Sequence, residues 1–164
     1  MSEALQAFIG VGSNLQEPLE QVRQAIRALT ALPESRLLRA SSLYGSRPMG
    51  PQDQPDYINA VVQIETRLSA LSLLHALQAI EQQQGRVRQR HWGERTLDLD
   101  LLLYGEHSIN LPELVVPHAG LAERNFVLYP LQEIAPSLEI PLQGPLGALV
   151  RDCPRADLQL ITSA

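Results

Sequence analysis

The sequence predicts an α+β fold of the ferredoxin-like class, an α/β sandwich whose sheet is mainly antiparallel. Apolar patterns of strand and helix type follow one another in the order β-α-β-β-α-β, which is the split βαβ arrangement. Hydrophobic residues make up 45% of the 164-residue chain and charged residues 19%, a balance that supports a core and excludes intrinsic disorder. We therefore expect residues 1–164 to form one domain with long functional loops and a C-terminal extension.

The first half of the chain contributes three strands and one helix to this order. Asn14 is placed to cap the helix, and Gly12 closes the strand that precedes it. A loop over residues 45–56 holds three Pro and two Gly, which forbid a regular element, and loops of this length are usually functional. The predicted elements of this half are a strand over 7–11, a helix from Pro18 that Pro33 ends, and strands over 36–44 and 57–65.

The second half contributes one helix, one strand and a C-terminal extension. Ser69 is placed to cap the helix, whose apolar residues recur at helical spacing up to Ile80. A second long loop over 84–95 separates this helix from the last strand. The remaining predictions are a strand over 97–104 that pairs with a short segment at 108–109, a helical stretch over 121–134 bent near Pro130, and a loosely structured tail after Pro136 with a short helix near 146–150.

The composition excludes several classes of function. All 13 basic residues are Arg, so a Schiff-base lysine, a P-loop lysine and the strand lysine of protein kinases are ruled out. The net charge of −5 disfavours a general nucleic-acid-binding surface. Cys153 is the single cysteine and has no neighbouring histidine, so we expect a structural thiol in a reducing compartment. With no signal peptide and no apolar run of about 18 residues, the expected location is the cytoplasm.

Two acids in the last strand are the sharpest chemical feature. Side chains alternate along a strand, so Asp98, Asp100 and Leu102 are expected on one face, and the leucines at 97, 99, 101 and 103 on the other. The two carboxylates would lie ~6–7 Å apart, a gap that suits two Mg²⁺ ions ~3.5–4 Å apart and hence phosphate chemistry. The alternative is a solvated strand face with two ordinary acids.

The loop before this strand favours the phosphate interpretation. Residues 85–95 hold four Arg, one His and the only Trp, in a chain that is negative overall. Arg binds phosphate with a forked pair of hydrogen bonds, and a Gly- and Arg-rich loop can close over a nucleotide. A solvated basic loop is the alternative. His118 and Arg124 form a third candidate group for phosphate, although a lone His is more often structural.

Other nucleotide and hydrolase motifs are incomplete. The glycines at 10 and 12 lack the third Gly and the acidic partner of a dinucleotide site, so they predict a tight turn. The histidines show no zinc-ligand spacing, and no Gly-x-Ser-x-Gly elbow is present.

Several strings together resemble the 6-hydroxymethyl-7,8-dihydropterin pyrophosphokinase family of folate biosynthesis, over about residues 7–140. They are Gly12-Ser13-Asn14, residues 50–59, residues 81–88, residues 92–100 and residues 116–126. The combination of Arg-Thr-Leu-Asp-Leu-Asp with Pro-Gln-Asp-Gln-Pro-Asp-Tyr is highly specific. The resemblance implies transfer of a pyrophosphoryl group from ATP to the pterin hydroxymethyl group, with release of AMP. Its partners would be these two small molecules, with two Mg²⁺ ions as cofactors, in a monomer that binds neither nucleic acid nor membrane.

The resemblance also implies a role for individual residues. The catalytic positions, of which the two acids hold the metal, are Asp98, Asp100, Arg86, Arg95 and Trp92. The ATP-binding positions are Glu81, Arg88, His118 and Arg124. The pterin-binding positions are Ser46, Met49, Tyr57, Asn59 and Phe126.

The chain departs from the family pattern at three places. Ala119 replaces a common Tyr, Arg47 replaces a common Pro, and the basic loop is one residue short between Arg88 and Trp92. Two other functions stay open on the residues alone: a ferredoxin-like module that binds RNA or a regulatory ligand, and a two-metal phosphodiesterase. The kinase reaction alone requires both ATP and a pterin.

Overall fold

A computed structural model describes residues 3–14, 17–46, 57–84 and 97–163. Within these ranges it confirms the predicted α+β class and the order of the principal elements. The strands are β1 (Leu5–Ser13), β2 (Ser35–Ala40), β3 (Leu43–Ser46), β4 (Tyr57–Thr66), β5 (Asp98–Tyr104), β6 (Ile109–Asn110), β7 (Val115–Val116), β8 (Glu139–Ile140), β9 (Gly144–Pro145) and β10 (Gln159–Thr162). The helices are α1 (Pro18–Thr30), α2 (Ala70–Gln83), α3 (Asn125–Ile134) and α4 (Leu146–Arg151), with a 3-10 turn at Leu121–Glu123. No helix in the described ranges is long and apolar enough to cross a membrane.

The main sheet has the order β10-β3-β4-β1-β5, and β2 pairs with β4 as well. All of its pairings are antiparallel. The predicted strand over 36–44 is two strands because of Ser41. Its hydroxyl accepts a hydrogen bond from the Val61 N–H at 2.9 Å, in place of a backbone carbonyl.

Each face of the sheet has its own core. On one face, α1 and α2 cover a cluster that includes Ile9, Val11 and Leu99. On the other face, α3 covers a cluster built on Phe8, Val61 and further residues of β5. On this second face α3 packs directly on the sheet, residues of α4 join the same cluster, and the acids of β5 lie on that side.

A β-bulge corrects the predicted alternation of β5. Phe8 pairs with Leu103, whereas Ile9 pairs with Leu101, so Leu102 is an extra residue on β5. Leu102 and Leu103 therefore both belong to the core under α3. The expectation that Leu103 shares a face with Leu101 is wrong, whereas Leu99 and Leu101 do lie together in the other core.

Two end-of-element predictions also need correction, and one is confirmed. Asn14 is buried and does not cap α1, because β1 continues to Ser13 and Glu17 takes the N-cap position in a left-handed conformation. The segment at 108–109 does not pair with β5, since Ile109–Asn110 pairs with Val115–Val116. Ser69 caps α2 as predicted, accepting from the Ser72 N–H at 3.2 Å.

The region after residue 120 is more ordered than predicted. The helical stretch breaks at Arg124, where the backbone is extended, and Pro130 lies inside α3. The tail contains α4 near the predicted position. It also contributes β10, which the sequence analysis missed and which pairs with β3 at the edge of the main sheet.

Candidate active site

The pairing of β5 with β1 places the two acids of β5 opposite two glycines of β1. Asp98 pairs with Gly12, and Asp100 pairs with Gly10. Residues directly opposite each other in an antiparallel pair share a face, so both acids lie on the side that carries the glycines. Both acids are half-buried. The prediction that Asp98 and Asp100 share one face, away from Leu99, is confirmed.

The row of paired residues that contains Asp98 and Gly12 continues onto β4, at the predicted pterin-binding residue Asn59. Gly12 pairs with Asp98 on one side and with Asn59 on the other. A side chain at position 12 would start 3.2 Å from Asn59 Oδ1 and 3.8 Å from Tyr57 Cδ1. Asp98 and Asn59 therefore face each other across Gly12, whose backbone carries no side chain. Glycine in a strand often marks a place where another group approaches the backbone closely. Gly12 ends no strand, contrary to the predicted tight turn.

Asn59 is held by Ser46, the last residue of β3. The Asn59 side-chain amide donates to Ser46 Oγ at 2.6 Å, and both residues are buried. Ser46 also pairs with Tyr57 in the register between β3 and β4. Three of the predicted pterin-binding residues, Ser46, Tyr57 and Asn59, are thus neighbours.

His118 connects the acids to Arg124. The His118 backbone N–H donates to Leu102 O at 3.0 Å, which places the residue beside β5, and its Nδ1 accepts from the Gly120 N–H at 3.1 Å. Burial lowers the pKa of His118; the Arg124 charge also lowers it, and the Asp100 charge opposes both. Because Nδ1 accepts a hydrogen bond from the Gly120 N–H, the ring proton of a neutral imidazole lies on Nε2.

Arg124 lies between His118 and the predicted pterin residue Phe126. Its guanidinium carbon is 5.7 Å from the centre of the Phe126 ring, a cation–π contact. Gly120 makes room for this arginine, because a Cβ at that position would lie 2.5 Å from Arg124 Nε. Asp100 and Arg124 thus both act electrostatically on His118, and Arg124 in turn contacts Phe126.

Glu81 is placed behind the acids, on α2. Its side chain is 8% exposed, and Oε2 accepts from the Leu99 N–H at 2.7 Å. Since β5 is the terminal strand of the sheet, this carboxylate satisfies a backbone donor on the outer edge. Leu99 stands between the two acids, so Glu81 fixes the backbone that carries them. The predicted contact of Glu81 with ATP stays a prediction.

Five predicted site residues lie outside the described ranges: Met49, Arg86, Arg88, Trp92 and Arg95. The position of Gly10 and Gly12 opposite the two acids was not predicted. The available signal was two glycines two residues apart in an apolar strand, a spacing that places both on one face and that often marks a bulge or a close approach to the backbone.

Comparisons with known proteins identify the family of this chain. Residues 8–136 match the model of the family described as 7,8-dihydro-6-hydroxymethylpterin-pyrophosphokinase. A Pseudomonas aeruginosa 2-amino-4-hydroxy-6-hydroxymethyldihydropteridine pyrophosphokinase is 49% identical, over 96% of this chain and 97% of the relative. A Haemophilus influenzae protein of the same name is 52% identical, over 88% of this chain and 91% of the relative.

A solved structure supports the fold. The wild-type HPPK-DHPS of Plasmodium falciparum, crystallised with pteroate, superposes with a TM-score of 0.75 at 13% identity. The match covers 93% of this chain and 43% of the Plasmodium chain. The predicted fold class and family resemblance are confirmed, and the RNA-binding module and the phosphodiesterase are set aside. The chain belongs to the 7,8-dihydro-6-hydroxymethylpterin-pyrophosphokinase family, and its activity is that of a pyrophosphokinase.

Proposed function

We propose that the row Asp98–Gly12–Asn59 is where the two substrates of the pyrophosphokinase reaction meet. The reaction transfers a pyrophosphoryl group from ATP to the hydroxymethyl oxygen of 6-hydroxymethyl-7,8-dihydropterin and releases AMP. One observation carries the proposal: acids suited to a metal–phosphate complex and an amide suited to a pterin edge lie in one row of the sheet. Only a residue without a side chain separates them.

The residues present fit a magnesium site. Carboxylate oxygens are the ligands that Mg²⁺ prefers, and Mg²⁺ commonly binds through one or two carboxylates together with water and substrate phosphates. Asp98 and Asp100 supply two carboxylates. The described residues contain no group of three or more His, Cys, Asp or Glu that could hold a metal, so water and substrate phosphates would complete the coordination. When bound, two Mg²⁺ ions would neutralise negative charge on the triphosphate.

His118 and Arg124 contribute to the ATP side of the proposal. A neutral His118 donates a hydrogen bond from Nε2, and the guanidinium of Arg124 adds a permanent positive charge. Phosphoryl-type transfer depends on positioning and charge stabilisation rather than on a covalent intermediate. A chain without lysine can therefore carry it out with arginine, histidine and metal.

Asn59 and Tyr57 contribute to the pterin side. Because the Asn59 amide nitrogen is directed to Ser46, its carbonyl oxygen is oriented towards Gly12 and can accept from a pterin N–H. Tyr57 and Phe126 offer aromatic faces for the flat heterocycle.

The remaining assignments complete the proposal. The loop residues Arg86 and Arg95 would contact the transferring phosphates, with Trp92 over the closed site, Arg88 at the nucleotide and Met49 at the pterin. Residues 1–164 would form one domain that acts as a cytoplasmic monomer, with no nucleic-acid partner. If Arg95 acts on developing phosphate charge, Arg95→Ala lowers kcat far more than pterin affinity; an equal loss of both would contradict that role.

The test is ³¹P NMR of the protein with MgATP and 6-hydroxymethyl-7,8-dihydropterin. AMP and a pterin pyrophosphate should form only when Mg²⁺ and both substrates are present. Formation of ADP or inorganic phosphate would mean a different transfer or simple hydrolysis. Asp98→Asn should lower turnover by at least about 100-fold, since it removes a charged metal ligand. The matched control Asp152→Asn makes the same change on an exposed residue after α4 and should leave turnover unchanged.

A further inference from the structure

The last segment of the chain, residues 153–163, contacts elements on two sides of the pterin-side residues. We call it the C-terminal segment. On one side its strand β10 pairs with β3, joining Gln159 to Gly45 and Leu160 to Tyr44. The Ile161 side chain lies 3.2 Å from the place where a Cβ of Gly45 would stand. The next residue of β3 is Ser46, which binds the Asn59 amide.

On the other side the C-terminal segment is bound to the first turns of α3. The Asn125 side-chain amide donates to the carbonyl oxygens of Arg155, at 2.9 Å, and Pro154, at 3.4 Å. One turn later the Tyr129 hydroxyl donates to Cys153 O at 2.7 Å. The Arg155 guanidinium in turn lies 5.8 Å from the centre of the Tyr129 ring. These contacts bracket Phe126.

The start of α3 depends on such external contacts. Its N-cap residue is Arg124, which makes no side-chain capping hydrogen bond. The first turn of a helix has backbone N–H groups without helical partners, and it is the part that opens most readily. Asn125 ties this turn, and Tyr129 the next one, to the C-terminal segment, and through β10 the same segment is fixed to the sheet.

We propose that the C-terminal segment positions the pterin site, with Asn125 as the key positioning residue. It would hold Phe126 at the angle needed to stack on the pterin, while β10 holds the end of β3 at Ser46. Recognition of a flat ring requires the stacking side chain to be placed within about 0.5 Å. If the start of a helix must become ordered when the ligand binds, the free energy spent on that ordering lowers the affinity. This inference rests on the proposed function.

The test removes the Asn125 donor in two ways, one that keeps a side chain of the same size and one that truncates it. In Asn125→Asp the carboxylate cannot donate to the two carbonyls, and Asn125→Ala removes the donor without adding charge. Asn110→Asp is the matched control, because it makes the same change on an exposed residue of β6. Each variant is titrated with the dihydropterin by fluorescence in the presence of a non-hydrolysable ATP analogue, and KM for each substrate and Tm are measured alongside.

Both Asn125 variants should raise the dissociation constant of the pterin by roughly 2- to 12-fold, the effect of losing one net hydrogen bond. The KM for ATP should stay within about twofold of wild type, and Tyr129→Phe should change pterin affinity in the same direction. Wild-type pterin affinity in both Asn125 variants would overturn the inference. An equal loss of affinity for both substrates with a lower Tm would also overturn it, because it would show a merely structural role. If the wild-type chain bound no pterin at all, the proposed function itself would fail.

Discussion

Replacing Gly12 with alanine should weaken pterin affinity while leaving the free energy of unfolding close to that of wild type. The new Cβ would stand 3.2 Å from Asn59 Oδ1, a few tenths of an ångström closer than a comfortable contact, and 3.8 Å from Tyr57 Cδ1. Asn59 is 5% exposed and is held by a 2.6 Å hydrogen bond to Ser46, so it cannot turn away without losing that bond. The amide must therefore shift or change its direction.

The expected magnitudes follow from these contacts. Gly→Ala removes conformational freedom from the unfolded chain and stabilises a compatible site by about 0.4–1 kcal/mol, which offsets much of the strain of the close contact. We expect the free energy of unfolding of Gly12→Ala to lie within about 1 kcal/mol of wild type. A misdirected Asn59 loses about one net hydrogen bond to the pterin, about 0.5–1.5 kcal/mol, or roughly a 2- to 12-fold weaker affinity.

The assay pairs urea unfolding with fluorescence titration of the dihydropterin. Gly147→Ala in α4 is the control, since its Cβ would meet Arg151 Nη1 at an ordinary 3.7 Å. It should stabilise the protein by up to about 1 kcal/mol, because alanine is favoured over glycine in a helix, and leave pterin affinity unchanged. If Gly12→Ala bound the pterin as tightly as wild type does, the idea that Asn59 recognises the pterin at this row would be refuted.

Three further predictions concern buried groups. Glu81→Ala leaves the Leu99 N–H without its charged acceptor, so urea unfolding should show a loss of about 1–3 kcal/mol, and a stability equal to wild type would contradict this. Burial and the hydrogen bond to Glu133 raise the pKa of Tyr44 above its usual range. The native state therefore keeps a proton that the unfolded state loses, and stability should fall as the pH rises above about 10, less steeply in Tyr44→Phe. Burial raises the pKa of Cys153, so iodoacetamide at pH 8 should label it much more slowly in the native protein than in urea; equal rates would count against that burial.

The fold class could be predicted because it depends on local periodicity. The helical spacing after Pro18 and the Ser69 cap are properties of short windows, and both predicted helices formed. The errors arose where pairing between distant strands decides the outcome. The bulge at Leu102 depends on the register between β5 and β1, and no local pattern marks it. β10 has four residues, too few for a periodic signal, and exists through its pairing with β3.

The same distinction, between local sequence patterns and the pairing of distant strands, applies to the candidate site. Asp98 and Asp100 were predictable because two acids two residues apart in an apolar strand must share a face. The contact between Ser46 and Asn59 was not, since the residues are on different strands and only the register brings them together. The hydrogen bond from the Leu99 N–H to Glu81 could not be predicted either, because predicting it requires knowing that β5 is the edge strand.

The position of the site follows from how the second face of the sheet is covered. The residues of α3 pack on Val61 and Phe8, which lie one and two same-face rows, respectively, beyond the row of Gly12. A strand glycine costs roughly 0.5–1 kcal/mol relative to alanine, and β1 carries two of them, both on this face and both opposite an acid. At Gly12 the missing side chain leaves Asp98 and Asn59 facing each other across bare backbone, and this is why we expect the chemistry of this protein at that row.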